Sequence, residues 1–571
     1  MPIDESFAKA LYFGEVAESL LFPFPKPDDA ESDLVHATID SVRRFCQKHV
    51  DSARIDREEQ IPPEVMRGLA ELGLMGLLVP KAYGGAGLSQ TAYARIVQEL
   101  AGIDTSLAVT LGAHLSLGTM GLLLFGTEAQ KQKYLPRLAR GEIVAAFALT
   151  EPGAGSDASA ITTSAVRDGD DYVLDGTKVW TSNGGIADLF TVFARTSPAE
   201  YGAKPRITAF LVERGGGLTT GPNEKKLGIR GSSTTEVVLE GVRVPASAVL
   251  GEVGRGFKVA MEVLNRGRLS LASGCVGIAK RLLRLSVERA EERKAFGRPI
   301  GQFGLVKDKI ARMLAETYAL ESMTYLTTGL VDAGATDSSV ESAVCKVFGS
   351  ETLQRVANEA LQIAAGIGYM QAYPYERIYR DARINLIFEG TNEILRCFVA
   401  LSGIEGPGRE LSDVAKAVRE PIKGFGLLSD FAMRKARSAL SRDKLTQVHP
   451  ELEAEGDVLG AYTTHLAKHA DRAIRRHGKM IHEMQFTQKR AADMTIELYA
   501  IAAVLSRTTR ALEKRGIEGA RRELDVTRMF VRSAEKRLAE LVAEFEANDD
   551  ELRKAVAERA YVDGGYPFDV M

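Results

Sequence analysis

The sequence predicts an α+β protein with an N-terminal helical domain, a middle antiparallel β domain, a C-terminal helical bundle domain and an appended, mostly helical domain. Three observations predict this order. Apolar residues recur every three or four positions over 32–144, short β-rich runs separated by turn residues fill 145–253, and helical periodicity returns over 254–403. At 571 residues the chain is several times longer than a typical domain, so we expect several packed units.

The first helical domain follows an N-terminal extension, residues 1–31. Residues of known conformational preference separate its helices. Pro62-Pro63 predicts a helix start, because proline fits the first helical turn, and the GGAG run at 84–87 predicts a loop.

The middle domain contains runs rich in β-branched and aromatic residues, such as DYVLDGTKVW, DLFTVFAR, ITAFLVERG and TTEVVLEGVRVP. Gly, Asn, Asp and Pro separate these runs, a pattern typical of antiparallel strands.

The chain from 254 onwards is predicted to be helical. Its helical periodicity continues without interruption by a proline until Pro299. Residues 404–571 form the appended domain; they hold 29 basic and 28 acidic residues but only 11 of the 54 glycines. We therefore expect helices with strongly hydrated faces there.

Composition excludes several functional classes. The net charge of −3 provides no overall field to attract nucleic acid or an anionic membrane. The four cysteines are far apart, so neither a zinc site nor a disulfide framework is indicated, and a reducing compartment fits. The N-terminus lacks the pattern of a secretory signal. Gly, His and Thr interrupt the most apolar stretch, 107–125, so we expect no membrane-spanning helix.

Common catalytic motifs are absent from the sequence, including GxxxxGK[ST], HExxH, GxSxG and a GxGxxG between strand and helix. His465 and His469 have the spacing of a helical metal pair, but no third ligand is near in sequence, so we favour uncoordinated surface histidines and predict no metal site. His114 lies in an apolar helix, and we expect it to be packed in the core.

Two glycine-containing segments are candidates for cofactor binding. EPGAGSD at 151–157 follows an apolar strand and exposes backbone N–H groups that can bind an anion; the alternative is an ordinary glycine turn. KVWTSNGG places the only tryptophan, Trp180, beside hydroxyl groups and a tight turn. Its indole either packs in the structure or covers a planar ring.

Glu389 is the candidate catalytic residue. It lies between the apolar NLIF and a Gly-Thr-Asn helix start. Burial among apolar neighbours raises a carboxyl pKa towards neutrality, which suits a general base. The alternative is an acid that only stabilises the N-terminus of a helix.

These segments, together with NRGR at 265–268, RKAFGRPI at 293–300 and YRDARINLIFEGTNEILR at 379–396, closely resemble the acyl-CoA dehydrogenase family over 32–403. The segments SFAKALYFGE…FPFP, VHPEL and ELYAIAAVLSR are similar to the extended branch that includes very-long-chain acyl-CoA dehydrogenase.

The resemblance implies that FAD binds between the β domain and the C-terminal helical domain. The implied FAD-binding residues are Phe147, Leu149, Thr150, Ser156, Trp180, Thr181, Ser182, Arg293, Phe296, Gln362, Gly366 and Thr391. In this family the first three lie against the isoalloxazine ring, which Trp180, Thr181 and Ser182 cover. The positions from Arg293 to Gly366 correspond to residues that meet FAD across a dimer interface.

The resemblance also implies the acyl-CoA contacts, which are Ser156, Asn265, Arg268, Ala108, Gly112 and Gly390. Ala108 and Gly112 match positions where a medium-chain member carries larger polar side chains at the pocket floor. Four residues apart, they share one helix face, so they predict a deep pocket and a preference for long or very long acyl chains. The alternative is that the small residues only allow close helix packing.

In this family the residue matching Glu389 removes the α-proton of the thioester, and the β-hydrogen leaves as a hydride to give a trans-2-enoyl-CoA. The backbone N–H of that glutamate and a flavin hydroxyl stabilise the enolate oxygen. The implied electron acceptor is electron transfer flavoprotein. The alternatives are an acyl-CoA oxidase that uses oxygen and a dehydrogenase body with an assembly or scaffold role.

We expect the chain to form a homodimer. We do not expect it to bind nucleic acid. We expect a cytoplasmic protein, or a mitochondrial-matrix protein if the chain is a mature eukaryotic form. Segment 426–444 combines apolar residues with five Arg and Lys, which predicts a peripheral contact with an anionic inner-membrane face. The alternative is an ordinary hydrated helix.

Overall fold

In the computed structural model the described residues are 6–196, 206–419 and 445–570. They form two compact units: one comprises residues 24–394, and the other combines 6–23 with the chain from 395 onwards. The predicted membrane segment, 426–444, lies outside the described residues.

The described chain is mainly helical. Its α-helices are α1 (Phe7–Ala10), α2 (Asp29–His49), α3 (Ser52–Glu58), α4 (Pro63–Glu71), α5 (Gln90–Ile103), α6 (Thr105–Gly112), α7 (Met120–Phe125), α8 (Glu128–Ala139), α9 (Gly256–Glu292), α10 (Gly304–Asp332), α11 (Ser339–Ala364), α12 (Pro374–Arg383), α13 (Asn392–Arg419), α14 (Glu453–His477), α15 (Gln485–Gly519), α16 (Arg521–Glu546) and α17 (Asp550–Asp563). The predicted start at the proline pair is confirmed, because Pro63 occupies the first turn of α4.

The strands lie between α8 and α10. They are β1 (Ala145–Ala148), β2 (Ser164–Asp168), β3 (Asp171–Ser182), β4 (Leu189–Arg195), β5 (Ile207–Glu213), β6 (Leu218–Thr220), β7 (Thr234–Pro245), β8 (Val249–Leu250), β9 (Lys294–Ala295) and β10 (Arg298–Pro299).

The first eight strands form one sheet. Seven of them follow the order β6-β7-β3-β2-β4-β5-β8, and β1 pairs with β4 outside this order. Most neighbours are antiparallel, as predicted, but β1 runs parallel to β4 and β2 also pairs with β4 in parallel. Strand β4 is buried on both faces, because Phe193 packs in one core cluster and Phe190 in another. The sheet therefore has a core on each side.

One continuous helix, Thr105–Phe125, connects α6 to α7 through a π-helical segment, Ala113–Thr119. Among the described residues this helix alone is long and apolar enough to cross a membrane, so the prediction that polar residues interrupt the run was wrong. However, 78% of the apolar window is buried inside the protein, as in a core helix. Strand β1 packs directly on Gly118, where an added Cβ would lie 2.6 Å from the Cβ of Ala145.

His114 is fully buried in this π-helical segment, which confirms the prediction of a core histidine. The N–H of Ala145 donates to its Nδ1 (3.1 Å), so its Nε2 donates to the carbonyl of Met75 (3.2 Å). Burial lowers the pKa of His114 to about 4. The neutral imidazole therefore links the helix to β1.

In the second unit, the N-terminal segment packs with the C-terminal helices. The rings of Phe7 and Tyr499 are 5.7 Å apart, and Thr495 Oγ1 donates to Tyr12 Oη at 2.9 Å. In the same unit His469 is buried and stacks on Phe545 at 4.5 Å, so the prediction of a surface histidine was wrong for this residue. The residues that the structure describes contain no group of three or more potential metal ligands. The sequence-based domain boundaries stay predictions.

Candidate active site

A bulge in β3 shapes the segment that contains the only tryptophan. The register of β3 against β7 shifts between Lys178 and Thr181, and Trp180 adopts a positive φ of 54°. Such a conformation is rare for a large side chain and re-aims it out of the sheet. The Trp180 side chain is accordingly 64% exposed, so it is not a core aromatic.

A buried ion pair holds the glycine-containing turn 151–157 beside this bulge. Lys178 Nζ donates to Glu151 Oε1 (2.7 Å) and to the carbonyl of Leu149 (3.2 Å), and Lys178 is fully buried. The backbone N–H groups of Thr162 and Thr163 also donate to the Glu151 carboxylate. These hydrogen bonds therefore anchor the buried side of the turn, and its other side is exposed.

The exposed face of this turn and the bulge offers contacts for a planar, polar group. Ser156 is exposed, and a Cβ added to Gly153 or Gly155 would meet no described atom within 4 Å. Thr181 Oγ1 is buried and has no hydrogen-bond partner in the described part of the chain. A buried hydroxyl without a partner is costly, so it points to a ligand that supplies one. An anion at the turn and a ring against Trp180 fit these groups.

The second part of the site is the loop between α12 and α13, where Glu389 has a positive φ of 59° and Gly390 one of 95°. Glu389 Oε2 is buried and accepts no hydrogen bond from any described residue. Gly267 on α9 makes room for the carboxylate, since an added Cβ would lie 3.0 Å from Glu389 Oε2. The carboxylate is thus held by packing and not by donors.

Burial raises the pKa of Glu389 to about 7, while the nearby cations Arg268 and Lys346 oppose the rise. Loss of water is the larger effect, because it penalises the ionised form and no donor compensates for it. The pKa prediction made from the sequence is therefore supported by the geometry.

Two buried cations fix the backbone of this loop. Arg268 Nε donates to the carbonyl of Glu389 (3.2 Å), and the same guanidinium donates to Asn265 Oδ1 (2.9 Å). Lys346 Nζ donates to the carbonyl of Gly390 (2.8 Å) and to Asn392 Oδ1 (2.9 Å). Burial lowers the pKa of Lys346 to about 8. The strained backbone at Glu389 is therefore held by contacts from α9 and α11.

The two parts of the site are linked by one core. Leu117 of the π-helical segment lies near Gly267, 2.7 Å from the position of an added Cβ, and so lies beside Glu389. Leu117 also packs on the core cluster that contains Leu149, and Phe147 packs on the same cluster. The candidate base and the residues expected to face the flavin thus border the same core.

The predicted floor of the substrate pocket lies against α9. A Cβ added to Gly112 would lie 3.5 Å from Ser270 Oγ, and Ser270 Oγ is 3.0 Å from the hydroxyl of Tyr93. Ala108 is buried one turn earlier on α6. A larger side chain at Gly112 would therefore fill space beside α9.

Other predicted cofactor residues have different surroundings. Arg293, Gln362 and Gly366 are exposed, and Phe296 is 95% exposed. Thr391 Oγ1 accepts from the N–H of Ile394 (3.4 Å) at the start of α13. Exposure of the first four fits an expected second subunit, but their role across a dimer stays a prediction.

Sequence reasoning missed the buried lysines Lys178 and Lys346. The sequence contained a sign of each buried lysine. Lys178 lies in a predicted strand, and Lys346 interrupts the apolar run AVCKVFG. A lysine is almost never fully buried without a partner, so a lysine within an apolar run predicts a fixed acceptor. Which acceptor it meets depended on the fold.

Four family models match the chain. "Acyl-CoA dehydrogenase, N-terminal domain" matches residues 32–142, the middle domain 146–242 and the C-terminal domain 254–403. "ACAD9/ACADV, C-terminal domain" matches residues 450–563.

Relatives extend over most of the chain. Very long-chain specific acyl-CoA dehydrogenase, mitochondrial, of Homo sapiens is 45% identical over 523 residues, covering 89% of this chain and 80% of that protein. A probable acyl-CoA dehydrogenase of Bacillus subtilis is 36% identical over 533 residues, covering 89% of this chain and 85% of that one.

A solved structure, that of an acyl-CoA dehydrogenase complexed with FAD from Bacillus anthracis, has a TM-score of 0.81 and 32% identity, covering 98% of this chain and 96% of the other. The predicted fold class and FAD cofactor are thus confirmed. The chain therefore belongs to the acyl-CoA dehydrogenase family, as a FAD-dependent enzyme of the branch with the ACAD9/ACADV C-terminal domain.

Proposed function

We propose that the protein oxidises long-chain or very-long-chain acyl-CoA to trans-2-enoyl-CoA in fatty-acid β-oxidation, with Glu389 as the catalytic base. The observation that carries this proposal is the Glu389 carboxylate, whose Oε2 is buried beside Gly267 without a described donor. The 45% identity to the human very-long-chain enzyme supports the chain-length preference.

Glu389 is suited to remove the α-proton of the thioester. With a pKa of about 7, it is partly ionised at neutral pH and gains a proton readily during the reaction. Packing against Gly267 leaves Oε2 free of competing donors. Arg268 and Lys346 attract the ionised form, so they keep the pKa from rising further.

The enolate oxygen that forms in this step needs donors. The Glu389 N–H makes no backbone hydrogen bond in the described structure, so it is available to donate. Arg268 and Lys346 hold the carbonyls of Glu389 and Gly390, which both follow this N–H in the chain, and thereby restrict the loop to which it belongs. Asn265, Arg268 and Gly390 form the expected acyl-CoA contacts here, with Ser156 at the turn.

FAD, when bound, accepts the β-hydrogen as a hydride. Phe147, Leu149 and Thr150 would hold its ring system from one side, and Trp180, Thr181 and Ser182 would cover it. The unpartnered Thr181 Oγ1 provides a buried hydroxyl for a ring heteroatom. Ser156 and Thr391 would meet other parts of the cofactor, as would Arg293, Phe296, Gln362 and Gly366 of a second subunit in a homodimer.

Electron transfer flavoprotein is the proposed acceptor, because the family resemblance implies it. The proposed location is the cytoplasm or the mitochondrial matrix; the human relative is named mitochondrial, and another relative is from Bacillus subtilis.

Anaerobic bleaching of the yellow enzyme by saturated acyl-CoAs of graded length tests this function. We expect complete bleaching with long chains and little with butyryl-CoA. The variant Ala108→Gln with Gly112→Glu should shift the preference to shorter chains, and Ala37→Gln on the exposed face of α2 is the control. An unchanged length profile would contradict the pocket prediction. Peroxide formation at a rate equal to turnover, with oxygen as the only acceptor, would favour an oxidase instead.

A further inference from the structure

A basic cleft lies among α2, α5, α9 and the start of α12 with the residues that precede it. It is a cavity of about 1040 Å³. Two carboxylates, Asp51 and Glu99, line it together with six basic side chains, which are Arg43, Arg95, Lys280, Arg281, Arg284 and Arg377. In a chain with a net charge of −3, this excess of positive charge is local.

Part of this charge is neutralised within the protein. Arg43 Nε and Arg95 donate to opposite oxygens of Glu99, at 2.8 and 3.3 Å, and Lys280 pairs with Glu321. These three cations therefore have structural partners.

None of the other three guanidinium groups donates a hydrogen bond to a described carboxylate. Arg281 donates to the backbone carbonyls of Gly102 (3.1 Å) and Ile103, and Arg284 is 3.7 Å from Glu288 in an exposed pair. Arg377 makes no side-chain hydrogen bond or ion pair with the residues that the structure describes. Burial and the nearby charges of Arg377 and Arg284 lower the pKa of Arg281, and the carboxylates of Asp104 and Asp381 offset only part of this shift. Repulsion among these three groups is relieved by a bound anion.

We propose that the basic cleft binds a phosphate group of a small molecule, with Arg281, Arg284 and Arg377 as its ligands. A phosphate carries up to two negative charges and several acceptor oxygens, which match the planar, multidentate guanidinium groups better than a single carboxylate does. The partly exposed ring of Tyr373 and the amides of Gln47 and Gln371 line the rest of the cavity. Its volume fits a ligand of nucleotide size.

This cleft is separate from the proposed acyl-CoA contacts. Arg281 follows Arg268 by 13 positions on α9, which corresponds to about 20 Å along the helix axis. A ligand in the cleft therefore binds without displacing groups around Glu389. The phosphate could belong to a free metabolite or to a phospholipid headgroup, and both present the same chemistry.

Titration calorimetry of the FAD-loaded full chain with sodium pyrophosphate, at low ionic strength, tests the proposal. We expect saturable binding of one pyrophosphate per chain. Arg284→Gln with Arg377→Gln should weaken it at least ~10-fold, because two charge-assisted contacts are lost. The control is Arg57→Gln with Arg67→Gln, which removes two exposed arginines of α3 and α4 and should leave binding within about twofold. Unchanged turnover with acyl-CoA verifies that both variants are folded.

Flotation with phosphatidylcholine vesicles, with and without phosphatidic acid, distinguishes the source of the phosphate. Pyrophosphate binding without flotation identifies a free metabolite. Flotation that requires phosphatidic acid and is lost in Arg284→Gln with Arg377→Gln identifies a lipid headgroup. The proposal is overturned if neither probe binds the wild-type enzyme, or if the control variant loses binding as much as the cleft variant does.

Discussion

Two buried glutamates in the same unit have opposite surroundings. Glu151 accepts hydrogen bonds from Lys178 and from the backbone of Thr162 and Thr163, and these partners outweigh burial and lower its pKa to about 2. Burial raises the pKa of Glu389 to about 7, and its nearby cations only partly oppose the rise, since they donate to backbone carbonyls and not to its carboxylate. Donors that reach the carboxylate decide the difference, since both residues lose water.

This difference separates a structural from a chemical role. A carboxylate with every acceptor satisfied is fixed and ionised at all physiological pH values, so it is suited to holding a turn. A carboxyl group that is buried without donors has a pKa near neutrality and can exchange protons. The comparison can be tested by changing each glutamate and one of the nearby cations.

The largest expected effect is on catalysis by Glu389→Gln. Loss of the base should lower turnover by ~10² to 10⁴, while FAD and acyl-CoA stay bound. Steady-state kinetics with a long-chain acyl-CoA and a dye acceptor measures this. Glu393→Gln, an exposed acid four residues along the chain, is the control and should stay close to wild type. Comparable turnover in Glu389→Gln would reject the assignment of the base.

The next effect is on stability. Glu151→Gln leaves the charge of Lys178 buried without its carboxylate, so it should lower the free energy of unfolding by about 3–5 kcal/mol and reduce FAD content. Denaturant unfolding and the flavin absorbance measure the two quantities. Adding Lys178→Met to Glu151→Gln should restore part of the loss. A single variant as stable as wild type would show that the pair does not hold the turn.

Glu389→Gln should also stabilise the protein at alkaline pH. The folded-state pKa of about 7 lies above the unfolded value, so the contribution of Glu389 is fully present below about pH 4.5 and is lost as pH rises through 7. At pH 8 the variant should therefore unfold with a free energy about 1–3 kcal/mol higher than wild type. At pH 4 the gain should disappear. A gain that is the same at both values would not come from ionisation.

The smallest effect concerns Lys346. The kcat/KM of the wild type should rise with pH through an inflection near 7. Lys346→Gln keeps a donor towards the Gly390 carbonyl but removes the charge, so the inflection should move upwards and activity at pH 7 should fall by about tenfold. Activity should recover at pH 9. Lys258→Gln, an exposed lysine on α9, is the control; loss of activity at every pH would indicate only a misplaced loop.

Much of the fold followed from the sequence. The change from helical to strand periodicity and back, with proline at the start of α4, depends on neighbours within a few residues, so local patterns predicted it. The same holds for Trp180 beside a tight turn and for Glu389 before a helix start. Recognition of several motifs in one order then gave the family, FAD and the enzyme class.

Other features required the tertiary structure. Polar residues did not break Thr105–Phe125, because His114 bonds to Met75 and β1 packs against Gly118. The sequence placed Glu389 near apolar residues, but its pKa depends on Gly267, Arg268 and Lys346, which come from other helices. Burial and hydrogen bonding are properties of groups that meet only after folding, so local pattern determined the elements and their order, while packing decided which carboxylate is satisfied and which can take a proton.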